Sequence, residues 1–131
     1  MLVPIISFQG NCDEAISFYK EAVNASVKTI NYLSEAPEGF AIEGASPNFV
    51  MHSELMIYGT PITMTDGATS KITGEYFSLS IAFNSSEEAT SVFNKLADGG
   101  QVIEALAPQF WSPLCGDVKD RFGIHWHIYT I

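Results

Sequence analysis

The sequence predicts an α+β protein made of two βαβββ modules whose strands form a curved mixed sheet around a trough. Three observations lead there. A helix-like stretch at 10–23 recurs at 84–97, displaced by 74 residues without a gap. Each copy follows one strand-like run and precedes three more. The chain, 131 residues and 47% hydrophobic, is also long and apolar enough to bury a core. We expect one domain over 1–131, with module one at about 1–67 and module two at about 76–131.

The opening run "VPIISF" reads as a strand, rich in β-branched residues and lacking a basic leader or a small-residue cleavage site. "GNCDEAISFYKEAV" follows. Asn11 and Glu14 have capping-box spacing, and Ala15, Phe18, Tyr19, Ala22 and Val23 recur at helical spacing. "NA" then stops the helix. "VKTINYL", "NFVMHSELMIY" and "PITMTD" are the next three strands, with "EAPEG" and "YGTP" as turns and 35–48 as a loop. The segment from Asp66 to Glu75 reads as a second loop, with "TDG" as an Asx-type turn that accounts for Asp66.

"YFSLSIAF" opens the second module. "NSSEEATSVFNKLA" repeats the helix, with Ser85 and Glu88 at the capping positions and Ala89, Val92, Phe93, Leu96 and Ala97 on the apolar face. "DGG" ends it. "QVIEALA", "WSPLCGDVKD" and "GIHWHIYTI" complete the set, the last two separated by the turn "DRFG".

Strand alternation then assigns faces. Phe49, Met51, Leu55 and Ile57 fit a helix-covered side, leaving His52, Glu54 and Met56 toward the trough. Phe77, Leu79, Ile81 and Phe83 fit the helix side, leaving Ser78, Ser80 and Ala82 inward. Ile124, Trp126 and Ile128 are buried, so His125, His127 and Tyr129 share the opposite face. These assignments depend on register, because a one-residue slip inverts every face.

Six basic residues against 15 acidic ones give a net charge of -9, which excludes nucleic acid and anionic membrane surfaces as expected partners. No run approaches the roughly 20 apolar residues of a membrane span. Cys12 and Cys115 form no C-x-x-C pair and read as free thiols in a reducing cytoplasm, so we expect a cytoplasmic protein.

"FQGNCDEAISFYKEAV", "VMHSEL", "MTDG", "APQFW" and the closing "DRFGIHW", in this order, resemble the PhnB-like branch of the vicinal oxygen chelate superfamily. That group includes glyoxalase I, bleomycin-resistance proteins, fosfomycin-resistance enzymes and extradiol dioxygenases. The resemblance covers nearly the whole chain and implies the paired βαβββ, or glyoxalase/bleomycin resistance, fold and a homodimer. It also implies a divalent metal as cofactor, held by His, Glu and Gln from the opening and last strands of each module. The corresponding positions here fall near Pro4, at Thr63 or Thr65, at Ser78 or Ser80, and at His127. Only His127 is a strong ligand, so no metal ligand set is assigned and the cofactor stays open. A rearranged site of His52, Glu54, His125 and His127 would need their heads within about 4 to 5 Å of one another. Some relatives carry a methyltransferase label, but no glycine-rich turn for a methyl donor is present.

The expected function is therefore binding of a small polar organic molecule in the trough. If catalysis occurs, Glu54 or His127 acts as base. His52, Ser78, Ser80, Trp111, His125 and Tyr129 contact the ligand, the serines as orienting donors and His52 by holding the Glu54 carboxylate. Phe110 and Trp111, between Pro108 and Pro113, read as an extended aromatic wall or a dimer seam. Glu104 is either an inward acid or a solvated edge charge, and Met51, Met56 and Met64 are filler. Two alternatives are a metal-dependent lyase, isomerase or dioxygenase and a resistance protein that sequesters a cationic drug. No G-x-S-x-G elbow, phosphate loop or dinucleotide fingerprint occurs.

Overall fold

The computed structural model describes residues 1–69 and 76–131. The chain divides into two compact units, Met1–Lys71 and Ile72–Ile131. Most of the expected loop from Asp66 to Glu75 lies outside the described residues.

Unit 1 contains β1 (Ile5–Phe8), α1 (Cys12–Ala22), β2 (Ser26–Tyr32), a 3₁₀ turn (Leu33–Glu35), β3 (Val50–Ile57) and β4 (Thr60–Asp66). Its sheet runs β1-β4-β3-β2, with β1 parallel to β4 and the other pairs antiparallel. Unit 2 repeats the plan with β5 (Leu79–Phe83), α2 (Ser86–Ala97), β6 (Gln101–Gln109), β7 (Ser112–Lys119) and β8 (His125–Thr130). Its sheet runs β5-β8-β7-β6, again with one parallel pair, β5 and β8. The architecture is thus α+β with the strand–helix–three-strand order read from the sequence.

Both helices stop on left-handed residues, Asn24 at φ 52° after α1 and Gly99 at φ 75° after α2. The apolar stripes lie as expected, with two adjustments. Ile16 rather than Phe18 is fully buried on α1, and Ala97 is only half-buried on α2. Tyr58 and Gly59, both with positive φ, form the two-residue link between β3 and β4, as a primed hairpin turn requires.

The helix starts differ from the capping-box expectation. Ser85 caps α2 by accepting the Glu88 N–H at 3.2 Å. Asn11 makes no side-chain cap. Its place is taken from a distance by Asp66, at the end of β4. Oδ1 of Asp66 accepts the Gly10 and Cys12 N–H groups at 2.7 and 3.0 Å, and Oδ2 accepts the Val50 N–H at 2.9 Å. Asp66 is therefore a buried strut, not an Asx-turn residue. The carboxylate also complements the positive end of α1.

Two face assignments are corrected. Val50 is buried and Met51 only half-buried, because a β-bulge shifts the β2–β3 ladder: Tyr32 pairs with Val50 and Asn31 with His52, leaving Met51 as the extra residue. Phe77 is 70% exposed, since pairing with β8 begins only at Leu79, opposite Trp126. Ser78 likewise lies before the strand, exposed. Phe110 and Trp111 are not an extended segment. They form the two-residue tip between β6 and β7, exposed by 97% and 61%, their rings edge-to-face at 4.7 Å.

The closing motif is organised by a second buried aspartate. Asp120 Oδ1 accepts the Phe122 and Ile124 N–H groups at 2.9 and 3.1 Å. Its Oδ2 accepts the Trp126 indole N–H at 2.8 Å. This satisfies the polar edge of a ring that is otherwise buried with Ile128, Val118 and Phe93 in the core of unit 2. The "DRFG" turn and the first inward residue of β8 are thereby locked together. That fixes which residues of β8 point the other way.

Candidate functional site

On β8, Trp126, Ile128 and Thr130 are buried, while His125, His127 and Tyr129 are half-buried on the opposite face, as alternation predicts. Across the sheet, His127 lies between Ser80 of β5 and Asp117 of β7, and Asp117 lies opposite Glu104 of β6. A polar row, Ser80–His127–Asp117–Glu104, therefore crosses all four strands of unit 2.

The central contacts are specific. Asp117 Oδ1 accepts from His127 Nδ1 at 3.0 Å and from His125 Nε2 at 3.1 Å. The three side chains are 24%, 30% and 17% exposed for Asp117, His127 and His125, so solvent reaches them without flooding them. A carboxylate offers only acceptors, so each ring nitrogen facing it carries a hydrogen. In the neutral ring, the other nitrogen of each imidazole, Nε2 of His127 and Nδ1 of His125, then presents a lone pair. The Tyr129 ring lies beside His127 at a 32° tilt, centroids 5.6 Å apart. A half-sheltered imidazole with one nitrogen tethered and the other open has the geometry of a general base or acid.

Unit 1 carries a related row. Thr63 of β4 lies between Ile5 of β1 and Glu54 of β3, and Glu54 lies opposite Thr29 of β2. Glu54 thus occupies in its sheet the place that Asp117 occupies in the other, and Thr63 the place of His127. His52 and Glu54 are both exposed, and no hydrogen bond joins them among the described residues. The expected support of Glu54 by His52 is absent. Ser80 and Tyr129 are in or beside the unit 2 row, whereas Trp111 sits at the β6–β7 tip and Ser78 precedes β5.

The donor set does not fit the metal site that the resemblance implies. The positions carried over hold Pro4, Thr63 or Thr65, Ser78 or Ser80, and His127, one strong ligand among hydroxyls and a proline. His125 Nε2 and His127 Nδ1 both face Asp117 Oδ1, at 3.1 and 3.0 Å. Among the described residues no group of three or more His, Cys, Asp or Glu side chains is placed to hold an ion.

Sequence reading missed Asp117. Its alternation with Cys115 and Lys119 in "LCGDVKD" was a weak signal, and only the β7–β8 register brings it opposite His127. Cys12 is no nucleophile: burial first, then the Asp66 and Asp13 carboxylates, push its thiol up to about 12. Among the described residues no helix is long and apolar enough to cross a membrane.

The model of the 3-demethylubiquinone-9 3-methyltransferase family matches residues 1–129. The chain belongs to this family. This PhnB-like protein is 28% identical to Protein YjdN of Escherichia coli (strain K12), over 99% of this chain and 95% of YjdN. It is similar to the structure of PA1353 from Pseudomonas aeruginosa, with TM-score 0.86, 29% identity, and coverage of 99% of this chain and 96% of that one. The PhnB protein from Bacillus cereus superposes with TM-score 0.83 at 22% identity, covering 99% and 98% of the two chains. The fosfomycin resistance protein FosX from Listeria monocytogenes shares the fold, with TM-score 0.69 at 11% identity over 100% of this chain and 92% of FosX. This PhnB-like protein is accordingly a vicinal oxygen chelate superfamily member with the glyoxalase/bleomycin resistance fold.

Proposed function

We propose that this protein binds a small polar organic molecule against the Ser80–His127–Asp117 row and that His127 transfers a proton to or from it. The observation that carries the reading is the pair of hydrogen bonds from His125 and His127 to one oxygen of Asp117. Asp117 acts as a positioning residue. It fixes the His127 tautomer, so that Nε2 keeps its lone pair for an acidic proton on the ligand. Ser80, the cross-strand neighbour of His127 on the side away from Asp117, orients the ligand through its hydroxyl. A carbon acid next to a carbonyl suits this arrangement, since it gives up a proton to a neutral base and offers an oxygen for the hydroxyl to bond.

The reading is tested by exposing the protein to dihydroxyacetone and related α-hydroxy ketones in deuterated water and following loss of the α-proton signal by NMR. Exchange should exceed the buffer rate, and His127→Ala should lower it by about 10²-fold or more. Unchanged exchange in His127→Ala, or no perturbation of the Ser80, Asp117 and His127 amides by any of these compounds, would sink the reading.

A further inference from the structure

We propose that a groove in unit 1, remote in sequence from the histidine row, binds a small organic cation with an apolar body. The groove has a volume of about 260 Å³ and is built on the end of β2, the 3₁₀ turn and the segment after it. Its apolar surface comes from Ala36, Pro37, Phe40 and Met51, and its polar surface from Asn31, Tyr32 and Glu35. The volume lies just below the usual range for drug-sized ligands, which begins at about 300 Å³, so the occupant is small.

Two local features shape it. The bulge that leaves Met51 without a ladder partner turns this flexible side chain to the groove, while Val50 and Ser53 on either side stay buried. Tyr32 is held at both ends. Its N–H donates to Glu35 Oε1 at 3.0 Å, and its hydroxyl donates to Asp13 Oδ1 at 2.5 Å. The ring is thereby fixed, and the hydrogen bond to Asp13 keeps the phenol protonated, pushed up to about 12.

Charge complementarity selects the occupant. The lining contains a carboxylate, Glu35, and no Lys, Arg or His. The Tyr32 hydroxyl carries a second carboxylate, Asp13, and the chain as a whole has a net charge of -9. Phe40, 52% exposed, offers an aromatic face to an ammonium or to a hydrocarbon body. An anion would meet these carboxylates, whereas an ammonium would be attracted to them.

The test compares phenethylammonium with 2-phenylethanol, near-isosteres that differ by one charge, in amide NMR titrations of the full chain. The Tyr32, Glu35, Phe40 and Met51 amides should shift saturably, with the cation bound about fivefold more tightly than the alcohol. Glu35→Gln keeps an oxygen for the Tyr32 N–H and removes the charge, so it should abolish that preference without unfolding the turn. Phe40→Ala should weaken both ligands, and His127→Ala neither, which separates this site from the histidine row. Equal affinities, no saturable shift up to ~10 mM cation, or a preference that survives Glu35→Gln would overturn the proposal. So would dilution shifts of the same amides, which would seat a second copy of the chain in the groove.

Discussion

Asp66 is the side chain on which the start of α1 and the start of β3 both depend, and its replacement gives a graded test. In Asp66→Ala three backbone N–H groups lose their acceptor: Gly10, Cys12 and Val50. The bonds to Cys12 and Val50 are buried, while that to Gly10 is only partly so, and Gly10 can turn to water. Each buried donor left unsatisfied costs about 1–3 kcal/mol, so the two together cost about 2–6 kcal/mol. That is a large fraction of a domain stability of about 5–15 kcal/mol. Asp66→Asn should be milder. Its carbonyl oxygen can still serve Gly10 and Cys12, but its NH₂ then faces the Val50 N–H, a mismatch costing about 1–3 kcal/mol. Urea unfolding followed by far-UV circular dichroism gives the loss, and amide exchange locates it. Protection of Cys12 and Val50 should fall in both variants, with Cys12 less affected in Asp66→Asn. A loss in Asp66→Ala within about 0.5 kcal/mol, the range of an ordinary surface substitution, would refute the strut.

Three further outcomes concern Asp117, Cys12 and Gly116. Asp117→Asn should redistribute the His127 tautomers, seen in ¹⁵N imidazole spectra, and lower any His127-dependent exchange, while melting changes less; an unaltered tautomer pattern would remove Asp117 as a positioning residue. The Cys12 thiol is raised from 9.0 to about 12, so the stability it contributes is complete below pH 9 and is lost as pH rises toward 12; Cys12→Ala should flatten the fall in urea midpoint over that window, and native Cys12 should resist iodoacetamide at pH 8 until the chain is unfolded. In Gly116→Ala the added Cβ would lie 2.8 Å from the Glu104 carbonyl oxygen and 3.0 Å from the Phe93 ring, so β6 and α2 must both give way, at about 1–3 kcal/mol by thermal melting.

The elements were legible because their signals are local. Periodic apolar residues, a cap at Ser85, stops at Asn24 and Gly99 and the Tyr58-Gly59 turn each act within a few residues of where they stand. The faces of β8 were legible for the same reason: Trp126 and Ile128 have no rival partners on a strictly alternating strand. Alternation failed where a ladder slipped. The bulge at Met51 answers to the pairing of β2 with β3, and nothing in "NFVMHSEL" announces it. Phe77 is exposed because no strand residue lies opposite it, a fact about β8 rather than about "YFSLS".

By itself the sequence determined a duplicated βαβββ plan, two amphipathic helices and a last strand that puts His125 and His127 on one face, since each depends on short-range sterics and periodicity. Only the tertiary structure decided that Asp66 caps a helix 54 residues away and that Asp117 gathers both imidazoles onto one oxygen. Those contacts are set by strand register, and register is a property of pairs of segments, invisible in either one alone.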